Sequence, residues 1–304
     1  MGGWYPVSAI LPIVRVLLTG ATGYIGGAVV EALASAGHVV VAVARSDEAE
    51  AALAAAGCET VRGDLRRPEP LAGHAETCDG VVQLAATQDD QMAVTEQATV
   101  RAFVRGLSGS DKPFVYTSGV WVYGNAPPDR LLDEDSAIDP VALYDWRPAL
   151  EDEVLAAAGA GVRSIVIRPA MVYGRGGGPL RQFGEMAERG IPRFVGDGAN
   201  HWTLVHVDDL ALLYVRALER APAGSLVNGA MGEPLRVRDL ATAAAAGAGF
   251  TAPPAPWPRA DAAAVIGAAA ADGLTRDHRI SGERARRLLD WKPAPRSPLR
   301  ELRG

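Results

Sequence analysis

Short apolar runs alternate along the first half of the chain with longer stretches in which apolar and polar residues mix. Val14-Arg15-Val16-Leu17-Leu18, Val39-Val40-Val41-Ala42-Val43, Glu59-Thr60-Val61, Val81-Val82-Gln83-Leu84, Phe114–Thr117 and Ser164–Ile167 are of strand length. Most are too uniformly apolar to leave one face in water, the pattern of strands covered on both sides. Between them the spacing predicts helices over Ala28–Ala36, Asp47–Ala56, roughly Asp90–Leu107 and Glu151–Ala158. This alternation predicts an α/β fold of Rossmann type, a doubly wound parallel sheet with helices on both faces.

After Gly174 the texture changes. Gly176-Gly177-Gly178-Pro179 forms a loop, and Pro222, Pro234 and the cluster from Pro253 to Pro258 interrupt the remainder of the chain. Helices are predicted at Leu180–Arg189, Asp208–Arg220, Val237–Ala248 and, from alanine's helix propensity, across Ala260–Ala271. Fewer strands are expected here. The chain therefore divides at residue 174 into a nucleotide-binding domain and a smaller C-terminal substrate lobe, residues 175–304, some of whose segments return to the sheet. Residues 1–12 are expected to be a loose lead-in. The lobe belongs over the carboxyl edge of the sheet, where open α/β sheets bind ligands.

Composition narrows the class. The 304 residues are ample for a sizeable core, and a net charge of −6 offers no electrostatic footprint for nucleic acid. No apolar run approaches the ~20 residues that span a bilayer. The start, Met1-Gly2-Gly3-Trp4-Tyr5-Pro6, has no basic region, so no signal peptide and a cytoplasmic location are expected. Cys58 and Cys78 form no metal-ligand spacing and are expected to be ordinary core thiols, with no metal site elsewhere.

The first apolar run ends in Thr19-Gly20-Ala21-Thr22-Gly23-Tyr24-Ile25-Gly26, glycines spaced GxxGxxG between a strand and a helix. In such a turn the first glycine permits the bend, the second lets backbone approach a pyrophosphate and the third packs helix against strand. The phosphates lie at the helix N-terminus, where free N–H groups and the helix dipole favour negative charge.

Together with Gly63-Asp64-Leu65, Leu84-Ala85-Ala86, Val122-Tyr123-Gly124, Arg168-Pro169-Ala170-Met171-Val172-Tyr173-Gly174, Val205-His206-Val207-Asp208-Asp209-Leu210 and Ala285–Pro293, this turn resembles the extended short-chain dehydrogenase/reductase superfamily. That group contains sugar epimerases and dehydratases, and the resemblance spans nearly the whole chain. It implies that Asp64 accepts from the adenine amino group with Leu65 against the ring. It also implies that Ala85, Ala86 and Thr87 line the cofactor's middle, and Pro169 and Ala170 its nicotinamide end. The plain alternative for Asp64 is a turn carboxylate after a strand. Asp208 or Asp209 is expected to cap the following helix. Pairing of two copies through the helices near Asp90–Leu107 and Tyr144–Ala158 is a further implication.

The second strand ends in Val43-Ala44-Arg45-Ser46, a cation and a hydroxyl where an acid would repel a 2′-phosphate. A guanidinium suits phosphate, so NADP is favoured over NAD, with a solvated arginine as the plain alternative.

The family's catalytic Ser/Thr, Tyr and YxxxK lysine are not all present. Counting back from Tyr123 reaches Gly119, with Ser118 one position earlier and, by strand alternation, facing away unless the loop bulges. Tyr144 stands at the expected tyrosine, but Pro148 occupies the lysine position and Arg147 is beside it. Tyr144, Ser118 and Arg147 are the candidate catalytic residues; Tyr144 is otherwise a half-buried aromatic. Where relatives of this type place a phosphate-binding arginine before the His206 segment, this chain has Trp202, which suits an apolar substrate. Trp202, Trp121 and Met171 are expected to line the substrate site, with Arg175 as the nearby cation. The expected activity is NADP-dependent oxidoreduction of a small apolar or aromatic carbonyl or hydroxyl compound. A cyclase, isomerase or dehydratase without net redox change, and a dinucleotide sensor without turnover, are the alternatives.

Overall fold

A computed structural model describes residues 14–303; the expected lead-in, residues 1–12, lies outside the described residues. The first half runs β1 (Arg15–Thr19), α1 (Tyr24–Ser35), β2 (Val39–Ala44), α2 (Asp47–Ala55), β3 (Glu59–Arg62), α3 (Glu69–Thr77), β4 (Gly80–Gln83), α4 (Met92–Leu107), β5 (Pro113–Thr117), α5 (Arg147–Ala156) and β6 (Arg163–Pro169). The second half adds β7 (Met171–Tyr173), α6 (Gly178–Glu188), β8 (Arg193–Val195), β9 (His201–His206), α7 (Val207–Arg220), β10 (Ser225–Gly229), β11 (Met231–Arg236) and α8 (Val237–Gly247). It ends with β12 (Ala255–Trp257), α9 (Arg259–Ile266), α10 (Ala268–Thr275), α11 (Glu283–Leu289) and α12 (Pro298–Glu301).

Seven strands form one parallel sheet in the order β10-β6-β5-β4-β1-β2-β3. Side chains alternate across it. Val16, Leu18, Val82, Val115, Ile165 and Ile167 join the core under α1 and α7, while Leu17, Val81, Phe114, Tyr116 and Val166 join the core under α3, α4 and α5. Continuous apolar runs are thus required, because both alternating sets are buried. The two cysteines are free and buried.

Five strands follow Gly174, against seven before it. β10 returns to the edge of the central sheet beside β6. β11-β9-β7 form a second sheet, and β8 pairs with β12. β8 and β12 are three residues long, and Arg193, Pro256 and the polar ends of β9 hide any apolar run. Helix α3 also went unpredicted, since Pro70, Gly73 and His74 break its apolar periodicity. The single helix expected over Ala260–Ala271 is two, α9 and α10, divided at Gly267, whose φ of +87° no helix residue adopts.

His278 ties the chain following α10 to β9. Its N–H donates to the carbonyl of His201 at 2.8 Å, its own carbonyl accepts from the Thr203 N–H at 2.8 Å, and the ring is fully buried. Burial pushes the imidazole down from 6.5 to about 4. Between those values the unfolded chain takes up a proton that the folded chain refuses, so this group withdraws stability as pH falls from about 6.5 towards 4. At roughly 1.4 kcal/mol per pH unit the loss is about 3 kcal/mol. Urea unfolding across that range should show this slope, and His278→Gln should flatten it; an identical slope in the variant would assign the pH dependence elsewhere.

Candidate active site

At the end of β1 the chain turns through Gly20, whose φ is +76°. A Cβ on Gly20 would stand 2.8 Å from the backbone nitrogen of Ala85, and one on Gly26 would stand 1.9 Å from the Gly20 carbonyl oxygen. These two glycines therefore hold α1 against the turn. Gly23 precedes α1 with ordinary extended geometry, and its N–H donates to the Gly20 carbonyl at 2.9 Å. A Cβ there would meet only that oxygen, at 3.1 Å. The Thr19 hydroxyl accepts from the N–H groups of Leu84 and Ala85, at 3.2 Å each, and donates to Gln83 Oε1, which locks the β4 exit beside the turn.

The result is a groove of about 410 Å³ along the carboxyl ends of the strands. Gly20, Thr22 and Gly23 form its floor, Arg45 and Ser46 one end, Asp64 and Leu65 a side wall, and Ala85, Ala86 and Thr87 the opposite wall. Thr87 Oγ1 is buried with no hydrogen-bond partner. Arg45 is exposed at the lip. Ser46 Oγ accepts from the Ala49 N–H and so caps α2. Tyr24, Ile25 and Gly26 stand behind the groove: the Tyr24 hydroxyl donates to the Gly174 carbonyl at 2.8 Å, and Ile25 packs against the core.

A second cavity, of about 240 Å³, opens at the ends of β5 and β6. Parallel pairing of β4 with β5 sets its mouth beside the exit of β4. Ser118, Gly119, Trp121, Tyr144, Arg147, Pro169, Ala170 and Met171 contribute to it. Pro169 and Ala170 thus lie here and not in the first groove. The Ser118 N–H donates to the Ile167 carbonyl at 2.8 Å, and the loop beyond bends into a 3₁₀ turn over Val120–Val122. This bend brings Ser118 to the cavity wall, contrary to simple strand alternation, and its Oγ is buried without a partner. Space for a Cβ at Gly119 is open except for Arg147 Nη1 at 3.9 Å.

Tyr144 ends a 3₁₀ turn, and α5 begins only at Arg147 because Pro148, lacking an N–H, is accommodated in a helix's first turn. Tyrosine and the residue four later therefore do not share a helix face. The Arg147 guanidinium lies instead over the Tyr144 ring, 4.5 Å from its centre, and 4.9 Å from that of Trp146. Its Nη2 donates to Glu96 Oε2 at 3.2 Å, and the Tyr116 hydroxyl donates to Glu96 Oε1 at 2.6 Å. Burial pushes the Glu96 carboxyl up, and Arg147 and Tyr116 oppose that shift.

A second buried network underlies the cavity floor. Arg168 pairs with Glu151 and donates through Nη1 to the Tyr123 hydroxyl at 2.7 Å. Tyr123 donates to Asn228 Oδ1 at 3.0 Å, and the Asn228 N–H donates to Glu134 Oε1 at 2.6 Å. Glu96, Glu151 and Glu134 carry no sequence signal for burial.

Two residues expected at the substrate site lie elsewhere. Arg175 is held by Glu31, at 2.8 Å, and by Asp208, at 2.6 Å, and forms no part of the second cavity. Trp202 is 2% exposed and stacks on Phe183, so it belongs to the lobe's own apolar core. Helix α7 is capped by His206 Nδ1, which accepts from the Asp208 N–H; Asp208 and Asp209 lie in its first turn instead. Among the described residues no cluster of three potential metal ligands occurs.

Residues 16–229 match the family model described as NAD dependent epimerase/dehydratase. An uncharacterized Saccharomyces cerevisiae protein is 32% identical over 302 residues, covering 95% of this chain and 98% of its own. A 2-alkyl-3-oxoalkanoate reductase of Stenotrophomonas maltophilia is 30% identical, covering 74% of this chain and 73% of its own. Among solved structures, human epimerase family protein SDR39U1 with NADPH superimposes with a TM-score of 0.73 at 23% identity, covering 95% of this chain and 98% of that one. Thermus thermophilus UDP-glucose 4-epimerase with NAD gives 0.75 at 21% identity, covering 95% and 99%.

The glycine geometry separates binding from folding. Gly23→Asp should leave thermal stability nearly unchanged yet remove dinucleotide binding in calorimetry, because its carboxylate enters the groove. Gly26→Ala should instead cost about 1–3 kcal/mol of stability through overpacking. Binding retained in Gly23→Asp would make the turn purely structural.

Proposed function

Because the chain belongs to the NAD-dependent epimerase/dehydratase family, we propose that it is an NADP-dependent reductase of a small apolar or aromatic carbonyl compound, working with an altered catalytic set. One observation carries the reading. Beside the glycine groove, at the ends of the neighbouring strands β5 and β6, a second cavity is lined by a hydroxyl, a phenol and a guanidinium paired with Glu96: Ser118, Tyr144 and Arg147.

The residues of the groove fit a dinucleotide. Glycines leave it open to a pyrophosphate and the α1 N-terminus faces it. Asp64 and Leu65 would hold the adenine, and Arg45 would meet a 2′-phosphate with paired N–H donors. When bound, the dinucleotide supplies the hydride. The chain's own residues handle the oxygen. Ser118 Oγ would donate to the substrate carbonyl and fix its orientation. Tyr144 would deliver the proton as negative charge develops there. Arg147 would act through its field. A guanidinium keeps its protons, so it stabilises a developing oxyanion and relays none. Glu96 and Tyr116 hold Arg147 in place from beneath. Relatives named as reductases of 2-alkyl-3-oxoalkanoate and of 2′-dehydrokanamycin support carbonyl reduction as the reaction class.

Calorimetry with both cofactors should show NADPH binding more tightly than NADH, and Arg45→Asp should reverse the order with a loss of about 1.5–3 kcal/mol for NADPH. Tighter NADH binding in the unaltered protein would reject the NADP assignment.

Tyr144→Phe should lower turnover by about 10²–10⁴, followed as loss of reduced-nicotinamide absorbance. Full activity in that variant would remove Tyr144 from the mechanism. Conversion of a carbonyl substrate without any absorbance change would support isomerisation or dehydration, the reading favoured by Gly119 and Pro148.

A further inference from the structure

Tyr144 stands before α5 begins, so the helix does not place it. Its N–H donates to the Val141 carbonyl at 2.7 Å, which closes a turn within its own segment. That segment leans on the 3₁₀ turn lining the second cavity. The N–H groups of Asp139 and Val141 donate to the carbonyls of Val122 and Trp121, at 3.1 and 2.9 Å. Ala142 and Leu143 are exposed, so burial contributes little there. Two short stretches paired only with each other are marginally stable at best in water.

Further support arrives from a distant part of the chain. Arg276, the residue after α10, is 11% exposed in its side chain. Its Nη1 donates to the Tyr123 carbonyl at 2.9 Å and to the Asp139 carbonyl, and Nη2 donates to the Pro140 carbonyl at 3.4 Å. One side chain thus joins the exit of the 3₁₀ turn to the start of the segment carrying Tyr144. Its charge is met by Asp272, at 3.0 Å, and by Asp139, at 3.5 Å, so its burial leaves no unpaired cation. A planar fork of donors serves carbonyls from two stretches at once, whereas a lysine carries all its donors on one atom. A second contact accompanies the fork. The backbone of Gly273 packs on the Trp121 ring, where a Cβ would stand 3.0 Å away, and that ring meets the Tyr144 ring with centres 5.9 Å apart.

Taking Tyr144 as the proton donor, as proposed above, we infer that Arg276 is the positioning residue that fixes it. Arg276 lines neither the glycine groove nor the second cavity, so it acts through the carbonyls it binds. Misplacing a reacting group by about 1 Å costs up to about 10²-fold in rate. The phenol is therefore in place only while the end of α10 is seated on the 3₁₀ turn.

The test needs no substrate. The protein is grown with 3-fluorotyrosine and read by fluorine NMR, the Tyr144 line being identified by its absence in Tyr144→Phe. In the unaltered protein Tyr144 should give one narrow line. Arg276→Gln should shift and broaden that line as the ring samples several placements, and leave the lines of Tyr24 and Tyr214 where they were. Arg276→Lys should not restore it. Arg276→Ala should show the same loss, and millimolar guanidinium ion should bring the narrow line back by refilling the place of the fork. Thermal melting and circular dichroism check folding; if the Arg276 variants fail them, Asp272→Asn, which keeps the arginine but frees its anchor, is measured in their place. An unmoved Tyr144 line in a folded variant would overturn the inference, and so would equal movement of the Tyr24 and Tyr214 lines. A displaced Tyr144 line beside full turnover in Tyr144→Phe would uphold the positioning role and reject the phenol as proton donor instead.

Discussion

The ion pair between Arg168 and Glu151 is the contact on which this architecture depends. Arg168 is 4% exposed and Glu151 2% exposed, so neither charge has water to fall back on. The pair joins β6 to α5, and the remaining guanidinium donor reaches Tyr123, through which Asn228 on β10 and Glu134 beyond the 3₁₀ turn are tied in. Removing one partner of a buried pair costs about 3–5 kcal/mol, because the survivor is left charged and alone. Tyr123 follows the 3₁₀ turn Val120–Val122 that lines the second cavity, and Glu151 lies in α5, which begins at Arg147. One group of bonds therefore joins β6, α5, β10 and the 3₁₀ turn.

Alongside that network the site divides its electrostatic labour. The Arg147 charge is balanced by Glu96 and spread across two aromatic faces, which leaves a positive field with little appetite for a fixed counter-ion. Arg175, by contrast, is consumed by Glu31 and Asp208 on the far side of the glycine loop. Two arginines that look alike in the sequence thus differ because one faces aromatic rings and the other faces carboxylates.

Much of the central sheet was legible because buried parallel strands demand continuous apolar residues. Runs such as Val39–Val43 and Phe114–Thr117 have no other explanation in a chain of this composition. The glycine turn was legible for a different reason: Gly20 and Gly26 sit where backbone atoms leave no room for a side chain. The lobe was not. Its strands are short and carry Arg193, Pro256 and His201, and their pairing is decided by distant segments that local pattern does not encode. The packing of Trp202 was not legible because an indole suits a cleft and a core equally; its stacking partner, Phe183, stands nineteen positions earlier in the chain. Glu96 and Glu151 were invisible because a carboxylate on a helix carries no mark of burial, and their partners lie 51 and 17 residues away.

Gly119 is loosely held by its surroundings. Its φ of 179° is extended backbone that any residue adopts, and the space about its missing side chain is nearly empty. A serine could therefore stand there with no neighbour obliged to move. Pro148 offers no such route, because α5 takes its starting point from that ring and the aromatic stack on Arg147 depends on where the helix begins. The two positions are thus held unequally: one accepts a side chain with no neighbour obliged to move, while the other is part of the scaffold and changes only if a helix is begun anew.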